Sequence, residues 1–218
     1  MSHGPARPTL FVIAGPNGAG KTTFYETALK GKIAAPFINA DIIQREELGE
    51  ADESAAYKAA DIAAQRRSDL LNRRESFVTE SVFSHPSKLE MLREAKARGF
   101  RIVVFHLHVS SADLAVARVE ERVKEGGHPV PVRKIRERFD RNQELIRAGV
   151  AMGDQAMVYD ASGLNRPPKL LMRTRSGKAE ITAIDLPNWF RDLYLRQSAQ
   201  YSGTRDVRRN PAQRGSEP

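Results

Sequence analysis

The feature that most constrains the fold is a glycine-rich segment near the N-terminus. Residues 15–22 read Gly-Pro-Asn-Gly-Ala-Gly-Lys-Thr, which matches the phosphate-binding P-loop pattern of Gly, four residues, Gly, Lys and Thr. An apolar run at 10–14 suits a buried parallel strand, and residues 22–30 can continue as a helix that ends at Gly31. A loop between these elements holds an anion with its backbone N–H groups and the positive helix end. The sequence therefore predicts a nucleoside triphosphate site, and the alternative is a glycine-rich turn that binds nothing.

The loop pattern gives each residue an expected role. The expected nucleotide-binding residues are Gly15, Pro16, Asn17, Gly18, Ala19, Gly20, Lys21, Thr22 and Thr23. Lys21 is expected to reach the β- and γ-phosphates and to act in catalysis, and the Thr22 hydroxyl is expected to bind Mg²⁺.

Composition restricts the class of protein. The chain has 218 residues, 40% of them hydrophobic, which suits one α/β domain with its own core. It has no cysteine, no apolar run near the ~20 residues that cross a bilayer and no apolar signal-peptide core, so we expect a cytoplasmic protein. The predicted domain spans 9–201, between a flexible arm at 1–8 and a disordered basic tail at 202–218. The net charge of +8 favours anionic ligands.

Three polar residues follow predicted strands at the sheet edge where ligands bind. Asn39 and Asp41 end a second strand at 36–41, and Glu80 lies at the tip of a third strand at 76–81. We expect the tips of the first and second strands to be neighbours, which would place Asp41 beside the P-loop as a general base. Glu80 would bind Mg²⁺ or orient the attacking group. The alternatives are an N-cap role for Asp41 and a surface capping role for Glu80.

Two arginine-rich helices joined by a Gly/Pro segment predict a mobile lid at about 113–147. Arg118 and Arg122 share one helix face, and Arg138 belongs to a second basic helix at 132–141. Arginines that close over phosphates stabilise charge in the transition state and exclude water. The alternative is a solvated charged hairpin, because acidic residues in the same segment supply partners.

The elements together predict an α/β P-loop kinase fold, with a mostly parallel five-stranded sheet flanked by helices. A C-terminal β-hairpin at 170–175 and 179–184 and a last helix follow. His106 and His108 lie on one face of the longest strand-like run. No third ligand is apparent for a metal, so we interpret both as histidines of the core or crevice wall.

The motifs that accompany the P-loop restrict the class of reaction. The chain lacks the guanine-reading Asn-Lys-x-Asp of GTPases and the adjacent strand-end acidic residues of motor and AAA-type ATPases. Small-molecule kinases need a carboxylate base, an acidic or polar group near the metal and an arginine lid. Asp41, Glu80 and the segment at 118–141 supply these in the expected order.

Four segments resemble the zeta-toxin family, and more closely its chromosomal bacterial members. They are Ala14-Gly-Pro-Asn-Gly-Ala-Gly-Lys-Thr-Thr23, Asn39-Ala-Asp41, Phe77-Val-Thr-Glu-Ser81, and Arg118-Val-Glu-Glu-Arg122 followed by Gly126-Gly-His-Pro-Val-Pro131. The resemblance covers roughly residues 8–150. It implies a kinase that uses ATP and Mg²⁺ to phosphorylate the 3′-hydroxyl of the sugar in UDP-N-acetylglucosamine. It also implies a small helical antitoxin that blocks the nucleotide site.

The resemblance also implies roles by position. Asp41 matches the general base and Glu80 the acidic residue at the third strand tip, with Asn39 beside the substrate. The candidate lid residues are Arg118 or Arg122 for the first position and His128, Arg133 or Arg138 for the second.

One departure from the family concerns the acceptor. Toxin members carry a substrate-contacting Glu on the helix before the third strand, where this chain has Ala63-Ala64-Gln65-Arg66, with Asp61 the nearest acid. A kinase for another metabolite, such as a dinucleotide or a nucleoside, is therefore an alternative. A further alternative is a nucleic-acid-associated ATP switch that binds through the basic tail. The absence of interleaved aromatic and basic residues argues against that alternative.

Overall fold

The computed structural model describes residues 7–49, 52–127 and 129–196. The basic tail at 202–218, most of the N-terminal arm and the substrate candidate His128 lie outside the described residues. At the described end of the arm, Arg7 donates hydrogen bonds of 2.8 Å to the carbonyls of Gly99 and Phe100. The chain is therefore already anchored to the domain at Arg7, just before the first strand.

The centre of the described structure is one sheet of seven strands. The strands are β1 (Thr9–Ala14), β2 (Phe37–Ile38), β3 (Phe77–Ser81), β4 (Arg101–His108), β5 (Gln155–Asp160), β6 (Lys169–Arg175) and β7 (Lys178–Ile181). Their order across the sheet is β2-β3-β1-β4-β5-β6-β7. The first five are parallel, and β6 and β7 are antiparallel.

The predicted count of five strands is wrong, because the C-terminal hairpin does not stand apart from the sheet. β6 pairs with the free edge of β5, with Met157 opposite Arg173, and β7 then pairs with β6. The edge of β5 presents unpaired backbone groups, and the hairpin satisfies them.

The strand order also corrects the expectation that the tips of the first and second strands are neighbours. β3 lies between β1 and β2, with Thr79 paired to Val12 on one side and to Ile38 on the other. The next residue along β3 is Glu80, so its carboxylate comes between the P-loop and the end of β2.

Helices cover both faces of the sheet. They are α1 (Lys21–Phe24), α2 (Ala40–Ile43), α3 (Glu53–Arg73), α4 (Ser87–Ala97), α5 (Ala112–Lys124), α6 (Val132–Met152) and α7 (Asn188–Phe190). π-helical turns at Tyr25–Leu29, Gln44–Leu48 and Arg191–Leu195 extend α1, α2 and α7. α6 is longer than the basic helix predicted at 132–141, because its apolar face continues through Ile146 and Val150, both buried. Among the described residues, no helix combines the length and apolar character needed to span a bilayer.

The sheet separates two apolar clusters, which follow from the alternation of side chains along its strands. On β1, Leu10, Val12 and Ala14 face the cluster covered by α3, α4 and α6, whereas Ile13 faces the cluster covered by α1 and α5. Burial on both faces explains why the parallel strands have nearly continuous apolar sequences.

His106 and His108 belong to the core, as the sequence predicts. Both side chains are buried, and His106 Nδ1 forms a hydrogen bond of 2.7 Å with the Tyr194 hydroxyl. The His108 ring lies 4.3 Å from the Trp189 ring, centroid to centroid. No group of three or more His, Cys, Asp or Glu side chains able to hold a metal occurs in the described parts of the chain.

Candidate active site

A cavity of about 1860 Å³ opens at the carboxyl ends of the parallel strands. The predicted site residues on its wall are Asn17, Gly18, Ala19, Gly20, Lys21, Thr22, Thr23, Asn39, Asp41, Glu80, Arg118, Arg122 and Arg138. Eight cationic and four acidic side chains line the cavity, so it favours anionic ligands.

Gly15 and Pro16 lie behind the cavity wall and shape the loop. A Cβ atom on Gly15 would lie 2.0 Å from the Leu107 carbonyl oxygen, so only glycine fits between β1 and β4. The Pro16 carbonyl accepts a hydrogen bond of 3.0 Å from Lys21 Nζ. Gly18 has φ +71°, and its missing Cβ would lie 2.7 Å from the Ala115 carbonyl. The tight turn therefore depends on glycine for both conformation and space.

Glu80 connects the P-loop to the end of β2. Its Oε2 accepts hydrogen bonds of 2.8 Å from the Thr22 hydroxyl and of 2.8 Å from Asn39 Nδ2. Its Oε1 lies 3.8 Å from Lys21 Nζ, and the Lys21 and Glu80 side chains are only 7% and 10% exposed. A buried carboxylate with three partners is a site component rather than the surface cap considered from the sequence.

Burial shifts the pKa values of Lys21 and Glu80 in the directions that favour their neutral forms. Burial lowers the pKa of Lys21, and the nearby carboxylates of Glu80 and Asp41 oppose that change. Burial also raises the pKa of Glu80, while Lys21 and the Thr22 hydrogen bond act in the opposite direction. An anionic ligand beside Lys21 would favour its charged form, so ligand binding and the protonation of this pair are coupled.

Asp41 lies on the cavity wall in the first turn of α2. The N-cap of that helix is Asn39. Its side-chain oxygen accepts hydrogen bonds of 2.8 Å from the Asp41 N–H and of 3.4 Å from the Ile42 N–H. The alternative assignment of Asp41 as the N-cap is therefore wrong. Its carboxylate is exposed, and its charge raises the pKa values of Lys21 and Glu80. Asp41 is thus close to the P-loop lysine and open to a ligand.

The two arginines of α5 have different surroundings. Arg118 donates to the carbonyls of Ala161 at 2.6 Å, Gly163 at 2.9 Å, Ser162 at 3.1 Å and Gly18 at 3.5 Å. It therefore joins the P-loop to the segment after β5. The Arg122 charge lowers the pKa values of Lys21 and Glu80, which places it near that pair.

Arg138 reaches the same cavity from α6, and Arg133 forms an exposed ion pair of 2.8 Å with Glu137 on its own helix. Both basic helices thus contribute to the cavity wall. Closure of the segment over a ligand stays a prediction.

Sequence reasoning missed residues on two parts of the wall. One part consists of Arg67 on α3 and Lys88 on α4. The other consists of Tyr159 near the end of β5 and the following residues Gly163, Leu164, Asn165, Arg166, Pro167 and Pro168. On α3, Ala60, Ala64 and Arg67 follow the spacing i, i+4, i+7, which marks one helix face and was the available signal. Asp61 is not on this wall, and Arg66 pairs with Glu47 at 2.5 Å.

A P-loop after β1, the middle one of the five parallel strands, with carboxylates at the ends of β3 and β2 on one side of it, is typical of the P-loop kinase fold. The chain belongs to the Zeta toxin family, whose sequence profile matches residues 2–165. This confirms the resemblance inferred from the four motifs. No curated protein sequence shows significant similarity to the chain.

Three solved structures share the fold. The AvrRxo1-ORF1:AvrRxo1-ORF2 structure with sulphate ions is similar at TM-score 0.61 and 16% identity, over 81% of this chain and 61% of that one. The same complex with ATP is similar at TM-score 0.61 and 15% identity, with the same coverage. The PezAT chromosomal toxin-antitoxin system of Streptococcus pneumoniae is similar at TM-score 0.59 and 14% identity, over 88% of this chain and 80% of that one. The chain thus spans about 61% of the AvrRxo1 chain.

Proposed function

We propose that the protein is a kinase that transfers the γ-phosphoryl group of ATP to a hydroxyl of a small metabolite, with UDP-N-acetylglucosamine as the leading acceptor. The observation that carries the proposal is the position of Glu80. Its carboxylate binds Thr22 of the P-loop and Asn39 of the β2 end at 2.8 Å each, so donor and acceptor sides meet there. Membership of the Zeta toxin family supports the same activity.

The residues at the donor side fit ATP and Mg²⁺. Glycines with positive φ allow the loop amides to surround phosphates, and Lys21 supplies a cation beside them. Thr22 and Glu80 offer hydroxyl and carboxylate oxygens, which are the ligands Mg²⁺ prefers. Bound there, Mg²⁺ would neutralise charge on the phosphates. Crystals of the AvrRxo1-ORF1:-ORF2 complex with ATP support a nucleotide in this fold.

Asp41 serves as the general base. It takes the proton from the acceptor hydroxyl while that oxygen bonds to the γ-phosphorus, and the bond from phosphorus to the β,γ-bridging oxygen breaks to release ADP. Arg122 and Arg138 face the same cavity and stabilise the charge that spreads over the transferred group. Arg118 acts as a positioning residue, because its guanidinium is already bound to four backbone carbonyls.

The acceptor and the partners follow from the family. UDP-N-acetylglucosamine is the acceptor that the resemblance implies, and a dinucleotide or a nucleoside is the alternative. A small helical antitoxin is part of the proposal, because the similar structures include a chromosomal toxin-antitoxin system. A cytoplasmic location is also part of it, since ATP and sugar nucleotides are cytoplasmic metabolites.

The test is incubation of the purified protein with Mg²⁺, ATP and UDP-N-acetylglucosamine, followed by mass spectrometry. The expected product is the sugar nucleotide with one added phosphate. Asp41→Asn should abolish it while ATP binding survives, and Asp61→Asn, an exposed change outside the cavity, should not alter it. Normal turnover by Asp41→Asn would show that the base is assigned wrongly.

If UDP-N-acetylglucosamine is not phosphorylated, a metabolite extract with labelled ATP separates the alternatives. A labelled product of another class would identify a different acceptor, and the absence of any labelled product would contradict kinase activity.

A further inference from the structure

Two cations from different helices line the cavity on the side of Asp41. Arg67 lies on α3 and Lys88 lies in the first turn of α4, and both side chains are half-buried. Ala60 and Ala64 precede Arg67 on the same face of α3, so the cavity wall beside Arg67 consists of short side chains. Neither charge belongs to the donor machinery around Lys21.

These two cations have no partner among the described residues, unlike their neighbours. Arg66 forms an ion pair of 2.5 Å with Glu47, and Arg98 at the end of α4 forms one of 2.8 Å with Glu94. The side chains of Arg67 and Lys88 form neither an ion pair nor a hydrogen bond within the described ranges. Partial burial of charges without a counter-charge is unfavourable, so an anion bound beside both side chains would be stabilising.

The two charges also repel each other. Burial lowers the pKa of Lys88, and the neighbouring Arg67 charge lowers it further. Burial alone lowers the pKa of Arg67. A dianion between them would replace this repulsion by attraction, with the planar guanidinium binding two oxygens and the ammonium acting as a compact charge.

We propose that Arg67 and Lys88 form a subsite for a phosphate or diphosphate group of the acceptor. This inference rests on the proposed kinase function and makes its acceptor a phosphorylated metabolite. Sugar nucleotides and dinucleotides carry such a group, whereas an unphosphorylated nucleoside does not. The subsite lies on the acceptor side, since α2, which carries Asp41, packs against α3.

The probe is inorganic pyrophosphate, titrated calorimetrically into the full chain saturated with the non-hydrolysable analogue AMP-PNP at constant free Mg²⁺. The analogue occupies the P-loop, so added pyrophosphate reports a second site. The wild-type protein should bind pyrophosphate, and Arg67→Gln and Lys88→Gln should each weaken binding at least about tenfold.

The controls remove the same charges outside the cavity. Arg73→Gln on α3 and Lys96→Gln on α4 are exposed, lie off the cavity wall and should change binding less than about twofold. Absent pyrophosphate binding, or equal binding by all four variants, would overturn the subsite.

AMP-PNP binding is measured in the same samples, which separates the two proposals. Bound AMP-PNP without bound pyrophosphate overturns the subsite alone. Absent AMP-PNP binding contradicts the kinase proposal and, with it, the inference that rests on it.

Discussion

Asn39 Nδ2 donates a hydrogen bond of 2.8 Å to Glu80 Oε2, the same oxygen that accepts from the Thr22 hydroxyl. Asn39 also caps α2 with its side-chain oxygen, 2.8 Å from the Asp41 N–H. One amide therefore contacts the carboxylate of the proposed metal site with its nitrogen and caps the helix of the proposed base with its oxygen. The relative positions of donor site and base depend on this residue.

Glu80→Gln should lower kcat by at least about a hundredfold, because the amide removes the negative charge beside Thr22 and offers Mg²⁺ a weaker ligand. The Mg²⁺ concentration for half-maximal activity should rise, while nucleotide binding without Mg²⁺ persists. Steady-state kinetics over a Mg²⁺ series measures this. Glu120→Gln, exposed on α5 and off the cavity wall, is the matched control. An unchanged Mg²⁺ dependence would remove Glu80 from the metal site.

Arg118→Gln should mainly change KM for ATP, whereas Arg122→Gln should mainly change kcat. Arg118 holds the carbonyls of residues 161–163 beside the P-loop, so its loss should raise KM for ATP and reduce the free energy of unfolding by about 1.5–3 kcal/mol. Arg122→Gln should mainly lower kcat, by about 10³-fold, since its charge acts on the transferred group. Urea denaturation and kinetics measure the two effects. A kcat loss without a KM change in Arg118→Gln would make Arg118 the catalytic arginine.

Gly18→Ala should destabilise the protein much more than Gly31→Ala. Both glycines have positive φ, +71° and +80°, so both substitutions cost about 1–2 kcal/mol in backbone strain. Only at Gly18 would the new Cβ also approach a backbone oxygen, Ala115 O at 2.7 Å, whereas nothing lies within 4 Å at Gly31. Denaturant unfolding of both variants isolates the contact. Equal destabilisation would show that the P-loop and α5 can move apart.

The free energy of unfolding should fall as pH drops below about 6.5, the ordinary pKa of histidine. Burial lowers the pKa of His108 to about 4 and that of His106 well below its usual range. The unfolded chain therefore binds more protons than the folded chain, and stability falls by about 1.4 kcal/mol per pH unit for each imidazole until its folded pKa is reached.

Urea denaturation between pH 7 and pH 5 measures this dependence. His108→Phe should reduce the slope, because an apolar ring fits beside Trp189 and Phe139 and does not titrate. A pH-independent free energy of unfolding would contradict neutral burial of the two histidines.

Much of the fold was predictable because its signals are local. The strands predicted at 10–14 and 76–81 are observed at Thr9–Ala14 and Phe77–Ser81, each within one residue of the expected bounds. The number of strands in the sheet was not predictable, because residues 169–181 form a hairpin by local pattern and join the sheet only through pairing with β5. The turn residues define the hairpin locally, but the strand edge with which the hairpin pairs is decided by tertiary packing.

The sequence predicted which residues line the site, but it did not predict the hydrogen bonds that connect them. Lys21 and Thr22 were expected in the P-loop, Asp41 and Glu80 were expected at strand ends, and all four line the cavity. That Glu80 binds both Thr22 and Asn39 depends on β3 lying between β1 and β2. The anion-binding subsite proposed at Arg67 and Lys88 had no sequence motif, because its two residues belong to different helices.

The P-loop was determined by the sequence alone, because its strand, loop and helix are contiguous and its glycines act through their own backbone. The tertiary structure decided what surrounds it. Hydrogen bonds from Thr22 and Asn39 to Glu80 span 58 and 41 residues, and Arg118 reaches the carbonyl of Ala161 across 43. Contacts between residues so far apart in the sequence depend on strand order and helix packing. These are determined jointly by the side chains that pack on both faces of the sheet.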